Sequence, residues 1–186
     1  MDSGNVANPH EHPRAGTTDV ERLYKVAFDL PENLARWARA STERLWTEKT
    51  PVRMESRVCN VPFYVKGIAL GDIVRVRADN ERRELVFEEF VAPSGHSTVR
   101  LIILDKTELD RIGSLLKKFE CAWEVDGSGI LWAIDVPPAV AYDTLLIALM
   151  QLKEAGKIEI EESAVAQGHR KGLDTLGQSG GLPTGG

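Results

Sequence analysis

Ser94-Gly95-His96-Ser97-Thr98-Val99-Arg100 places an imidazole between hydroxyls and four residues before a guanidinium. That combination supports two kinds of chemistry. Gly95 lets a backbone come close to a ligand, Ser94 and Ser97 donate hydrogen bonds, and Arg100 can grip a carboxylate or phosphate with two parallel bonds. In the second kind His96 acts as a general base, since an imidazole exchanges its proton near neutral pH. A plain polar connector would use the same residues, because Ser, Gly and Pro are ordinary loop formers.

A second stretch, from Asn60 to Asp72, brings an amide, a phenol, an amine and a carboxylate into a short span. Here Tyr64 is a candidate hydrogen-bond donor, Lys66 a counter-ion and Asp72 an orienting acceptor beside His96. Gly71-Asp72 before Ile73-Val74-Arg75-Val76 also reads as a turn feeding a strand, with Asp72 bonding its own backbone. Cys59 lies in an apolar strand pattern, where an inert buried thiol is the ordinary outcome and a nucleophile the exception. Glu88 and Glu89 are adjacent, so on a strand they point to opposite faces and form no acid/base pair. The two cysteines have no metal-ligand spacing, and His10 and His12 sit in a segment with no third ligand, so neither a metal nor another cofactor is expected.

These residues need a scaffold. With 186 residues and 42% hydrophobic content the chain can bury a substantial core. The net charge of -5 argues against a nucleic-acid surface, and no apolar run is long enough to span a membrane. The polar start lacks a signal peptide's basic and apolar regions, so a cytoplasmic protein is expected. Residues 1–18 have no apolar period and residues 167–186 are rich in Gly and Ser, so both are expected as disordered tails.

Between the tails the pattern changes near Pro93, which divides the core into subdomains at 19–93 and 94–166. The first is expected to hold a strand over 22–28, an amphipathic helix over 32–47, and short strands over 57–61, 63–65, 72–76 and 84–90. Together these make a small curled β-sheet or partial barrel with one helix. The second reads strand, helix, strand, strand, helix, strand over 98–104, 107–119, 121–125, 130–136, 142–155 and 157–161. A turn at Asp126-Gly127-Ser128-Gly129 joins its middle strands. This βαββαβ order is ferredoxin-like, so the fold class is α+β. Thr107 with Asp110 suggests a capping box, and Gly156 a helix stop.

Leu45-Trp46, the stretch from Asn60 to Asp72, the stretch from Ser94 to Arg100, and Asp135-Val136-Pro137-Pro138 occur in an order that resembles the domain of unknown function 4265 family. The resemblance runs over residues 23–162. It implies a bacterial, cytosolic protein and brings no catalytic residue or cofactor to these positions.

The function expected from the residues is a non-catalytic binding or regulatory module. It would use the cleft between the subdomains, or the open sheet face, for a protein partner or a small anionic ligand. The alternative is a small hydrolase or transferase with His96 as base, Arg100 as the anion-binding group, and Tyr64, Lys66 or Asp72 completing the site.

Overall fold

The computed structural model describes residues 23–170. The expected tail over 1–18, the strand start at Arg22 and residues 171–186 lie outside them. Among the described residues the chain is α+β, with a five-stranded closed barrel followed by a four-stranded sheet.

The barrel runs β1 (Tyr24–Asp29), α1 (Glu32–Ala38), β2 (Thr42–Lys49), β3 (Glu55–Val58), β4 (Ile73–Asp79) and β5 (Glu84–Ala92). Neighbours along the chain pair antiparallel, and β1 meets β5 in parallel to close the ring. Val26, Phe28, Leu45, Val58, Val74 and Val76 fill the interior together with Val65 and Ile68 from the long β3–β4 connection.

Two expectations for this half are corrected. The helix expected over 32–47 ends at Ala38, where Arg39 turns left-handed at φ 53°. From Thr42 the chain is a strand, with Leu45 and Thr47 buried and Trp46 outside. Leu45 and Trp46 suit either period in isolation, and pairing with β1 along six residues decides for the strand. Residues 63–65 are loop, because their amide groups bond the Glu43 carboxylate rather than a neighbouring strand.

The second sheet comprises β6 (Ser97–Ile103), α2 (Leu109–Lys118), β7 (Ala122–Val125), β8 (Leu131–Val136), α3 (Tyr142–Glu154) and β9 (Ile158–Ala164). Its spatial order β7-β8-β6-β9, all antiparallel, is the ferredoxin-like arrangement. Ile112 and Leu116 of α2, and Tyr142, Leu145, Leu149 and Leu152 of α3, pack at helical spacing on Val99, Leu101, Ile103, Ile134 and Ile158. No side chain caps α2, whose N-cap is Glu108; Asp105 instead caps the 3-10 turn Lys106–Glu108 that leads into it, its side chain accepting the Thr107 N–H, so the capping box expected from Thr107 and Asp110 does not form. Gly156 follows α3 at φ 68°, a conformation that favours glycine.

Residues directly opposite on paired strands share a face, so Thr98, Arg100 and Ile102 lie with Asp135, Ala133 and Leu131 on the side away from α2 and α3. The β3–β4 connection covers much of that face. Thr98 Oγ1 donates to the Ile68 carbonyl at 3.3 Å, Gly67 N–H to Ser163 O at 2.9 Å, and Val61 N–H to Glu124 Oε1 at 3.2 Å. The sheet face expected to be open is therefore only partly so. At the C-terminal side, residues 167–170 are helical rather than tail, and His169 is buried.

Candidate functional site

The sequence candidates fall into two groups. The first gathers at the start of β6. His96 Nδ1 lies 2.7 Å from Asp135 Oδ1, with the histidine ring about a quarter exposed (26%) and the carboxylate buried. Burial raises the Asp135 pKa above the usual carboxylate value, and His96 opposes that rise. Asp135, not Asp72, is thus the acceptor that orients the imidazole. Asp72 is buried and acts as a clasp: it accepts from Ala69 N–H at 2.8 Å, Ser94 N–H at 2.8 Å and Ser94 Oγ at 2.9 Å. Ser94 Oγ in turn accepts the His96 N–H at 3.1 Å, so Asp72 positions the loop that carries His96. Gly95 sits at φ 89° with Pro138 close behind it, which is a packing reason for glycine there.

Ser97 is wholly buried and faces His169: Ser97 Oγ and His169 Nδ1 are 2.7 Å apart, while Ser97 Oγ accepts the Ala166 N–H at 2.8 Å. His169 stacks on Tyr142 with ring centroids 4.9 Å apart, and the Tyr142 hydroxyl donates to Glu162 at 2.6 Å. Burial lowers the His169 pKa, with the Pro137 and Pro138 carbonyls opposing and His96 assisting. Burial and the Asp135 charge push the Cys121 thiol up to about 11, so it is an inert thiol at neutral pH.

The second group surrounds Arg100, which is only 3% exposed. Its guanidinium donates to Glu161 Oε2 at 3.0 Å and to the Val65 carbonyl, and its Nε has no hydrogen-bond partner among the described residues. Burial lowers the Arg100 pKa, and Glu161, Glu43 and Tyr64 oppose that fall. Lys66 also pairs with Glu161. Burial alone would raise Glu161, but Lys66 and Arg100 outweigh it and hold the carboxyl below its ordinary value. Tyr64 is held above the usual phenol range by burial and by Asp126 and Glu43. Glu43 fixes this corner by accepting N–H groups of Phe63, Tyr64 and Val65 at 2.7, 2.9 and 2.7 Å.

Arg100 lines a cavity of about 240 Å³ with Leu34, Ile102, Leu131, Glu159, Ile160 and Glu161. Leu34 of α1 also borders a second cavity of about 360 Å³, which includes Lys66, Val65, Phe28 and Phe87. The short helix α1 therefore stands between barrel and sheet with a hollow on either side.

Asp135, Glu43, Glu161 and His169 are the residues that reading the sequence did not select. Asp135 carried a usable signal, as a lone charge in the apolar run Leu131-Trp132-Ala133-Ile134-Asp135-Val136. The others depend on contacts between distant segments.

The described residues thus form a ferredoxin-like α+β half joined to a small barrel. The model of the domain of unknown function DUF4265 matches residues 43–160, and the chain belongs to that family. No curated protein matches the chain. A solved structure titled as a hypothetical protein from Neisseria gonorrhoeae is similar with a TM-score of 0.66 at 18% identity, covering 84% of this chain and 99% of that one. That likeness shows a shared fold. Among the described residues no helix is long and apolar enough to cross a membrane.

Proposed function

We propose that the protein is a non-catalytic binding module that holds a small anionic ligand, a carboxylate with an apolar tail, in the cleft between barrel and sheet. The observation that carries this is Arg100, a buried cation with an unpartnered Nε on the wall of a cavity lined by the apolar Leu34, Ile102, Leu131 and Ile160 and by the acids Glu159 and Glu161. A buried donor without an acceptor costs about 1–3 kcal/mol, which a ligand oxygen would recover. Glu161 is partly exposed, so it can yield Arg100 to a ligand carboxylate and keep Lys66 as its own partner. The cavity volume suits a small molecule better than a protein segment. We place the protein in the bacterial cytosol, in keeping with two cysteines that form no disulfide.

A second reading rests on the His96–Asp135 pair, which is the arrangement of an oriented general base in a hydrolase or transferase. Calorimetric titration with butyrate, hexanoate and octanoate separates the two. Binding by wild type and His96→Ala, with loss in Arg100→Met and in the cavity-filling Ile102→Phe, supports the cleft. Loss in His96→Ala alone supports the second reading, and no binding to any form removes the first.

A further inference from the structure

The far end of the barrel holds a cavity of about 430 Å³ that shares no lining residue with the cleft at Arg100. Its wall includes Lys25, Lys49 and Arg53 above an apolar base of Tyr24, Val76 and Leu85. Lys49 and Arg53 share this wall with one lining acid, Glu55, and that carboxylate is engaged by Arg75 at 3.2 Å. Among the described residues Lys49 and Arg53 form no ion pair, and Lys25 lies over the Trp46 ring at 4.7 Å instead of meeting an acid.

In a chain of net charge -5, Arg44, Arg57, Arg75 and Arg82 on the same barrel have carboxylate partners, whereas Lys49 and Arg53 stand together on one cavity wall without them. Like charges held together repel, and an anion between them reverses the sign of that energy. The turn that carries Arg53 is fixed. Thr50 N–H donates to Glu55 O at 3.2 Å, Val76 N–H to Met54 O at 2.9 Å, and Met54 adopts φ 63°. The cations are therefore presented by ordered backbone around a concavity.

We infer that the barrel mouth is a second binding site, which takes a phosphate group carried on a molecule with an apolar part. Arg53 supplies a planar fork that matches two phosphate oxygens, and Lys49 supplies a point charge for the rest of a dianion. The apolar portion rests on Val76 and Leu85. The phosphate can belong to a free phosphorylated metabolite or to a lipid headgroup, since the chemistry recognised is the same.

Full-length wild type is titrated with pyrophosphate and phenyl phosphate, and sedimented with phosphatidylglycerol or phosphatidylcholine vesicles. The comparison proteins are Lys49→Gln/Arg53→Gln and, for equal charge loss elsewhere, Lys117→Gln/Lys118→Gln on α2. Lys49 and Arg53 are exposed, so both double variants are expected to melt as wild type does. The expected result is saturable binding that falls by about tenfold or more in Lys49→Gln/Arg53→Gln and by less than about twofold in the control. Binding of the soluble probes assigns a free metabolite, and binding only of the anionic vesicles assigns a lipid. Equal losses in the two double variants reduce the effect to net charge and overturn the site, as does the absence of binding to every probe.

Discussion

The imidazole of His96 and the carboxylate of Asp135 meet at 2.7 Å across the start of β6 and the end of β8, with the carboxylate in the less exposed position. Burial penalises the Asp135 anion, and His96 is what offsets the penalty. In His96→Ala the buried carboxylate loses its partner, so its pKa rises further. A folded-state pKa above the unfolded value gives stability that is present at low pH and lost as pH rises through the folded value. The variant is therefore expected to lose about 1–3 kcal/mol relative to wild type at neutral pH, and little below the ordinary carboxylate range. Urea unfolding at pH 7 and at about pH 3.5, below the ordinary carboxylate pKa, measures the difference.

His169 carries the opposite sign. Burial depresses its pKa, so the unfolded chain takes up a proton before the folded one does. Its contribution is complete above the ordinary imidazole value of about 6.5 and is lost as pH falls from there toward the depressed folded value. His169→Phe keeps a ring against Tyr142 but cannot titrate. Its stability is expected to lie below wild type at pH 7.5, where the Ser97 contact is lost, and the gap to narrow at pH 5.5. A gap that stays constant over that interval would refute the assignment to His169.

Much of the second half is legible from periodicity, because Leu145, Leu149 and Leu152 of α3 and the run of β8, apolar but for Asp135, each match one template. The first half is harder for a physical reason. Barrel strands are short and curved, and Leu45-Trp46 satisfies a helical as well as an alternating pattern until its partner strand is known. The same holds at the site. His96, Ser94 and Asp72 stand out by residue type, but the role of Asp72 is settled by Ser94, 22 residues away, and that of His96 by Asp135, 39 residues away. Arg100 stands out as an anion grip, yet its partners Glu161 and Val65 come from the last strand and a barrel loop. Residue type is local, whereas partnership is created by topology.

Glu43 offers a test of how the barrel holds the loop that crosses the sheet. One carboxylate accepts three consecutive backbone N–H groups, a concave amide arrangement suited to an anion. Glu43→Ala leaves all three donors without that acceptor, and hydrogen bonds to a charged group contribute about 1.5–3 kcal/mol. Amide hydrogen exchange is expected to accelerate by about tenfold or more at residues 63–65, while amides of β8 change only with the global stability.

Gly95 separates packing from ligand access at the His96 loop. Its φ of 89° is unfavourable for any L side chain, and an added Cβ would stand 3.1 Å from Pro138 Cγ. Both effects act in the same direction, so Gly95→Ala is expected to cost about 1–3 kcal/mol through backbone strain and crowding. The strain acts on the segment joining Ser94 to His96, whose position depends on the Asp72 clasp. Gly71→Ala makes a matched comparison, because its φ of 81° is equally demanding but its added Cβ would meet Ser94 Cβ at 3.0 Å, on the other side of that clasp. If the clasp and the His96 loop form one unit, the double variant loses less than the sum of the two single losses. Additive losses in urea unfolding would show instead that the two glycines act on separate pieces of structure.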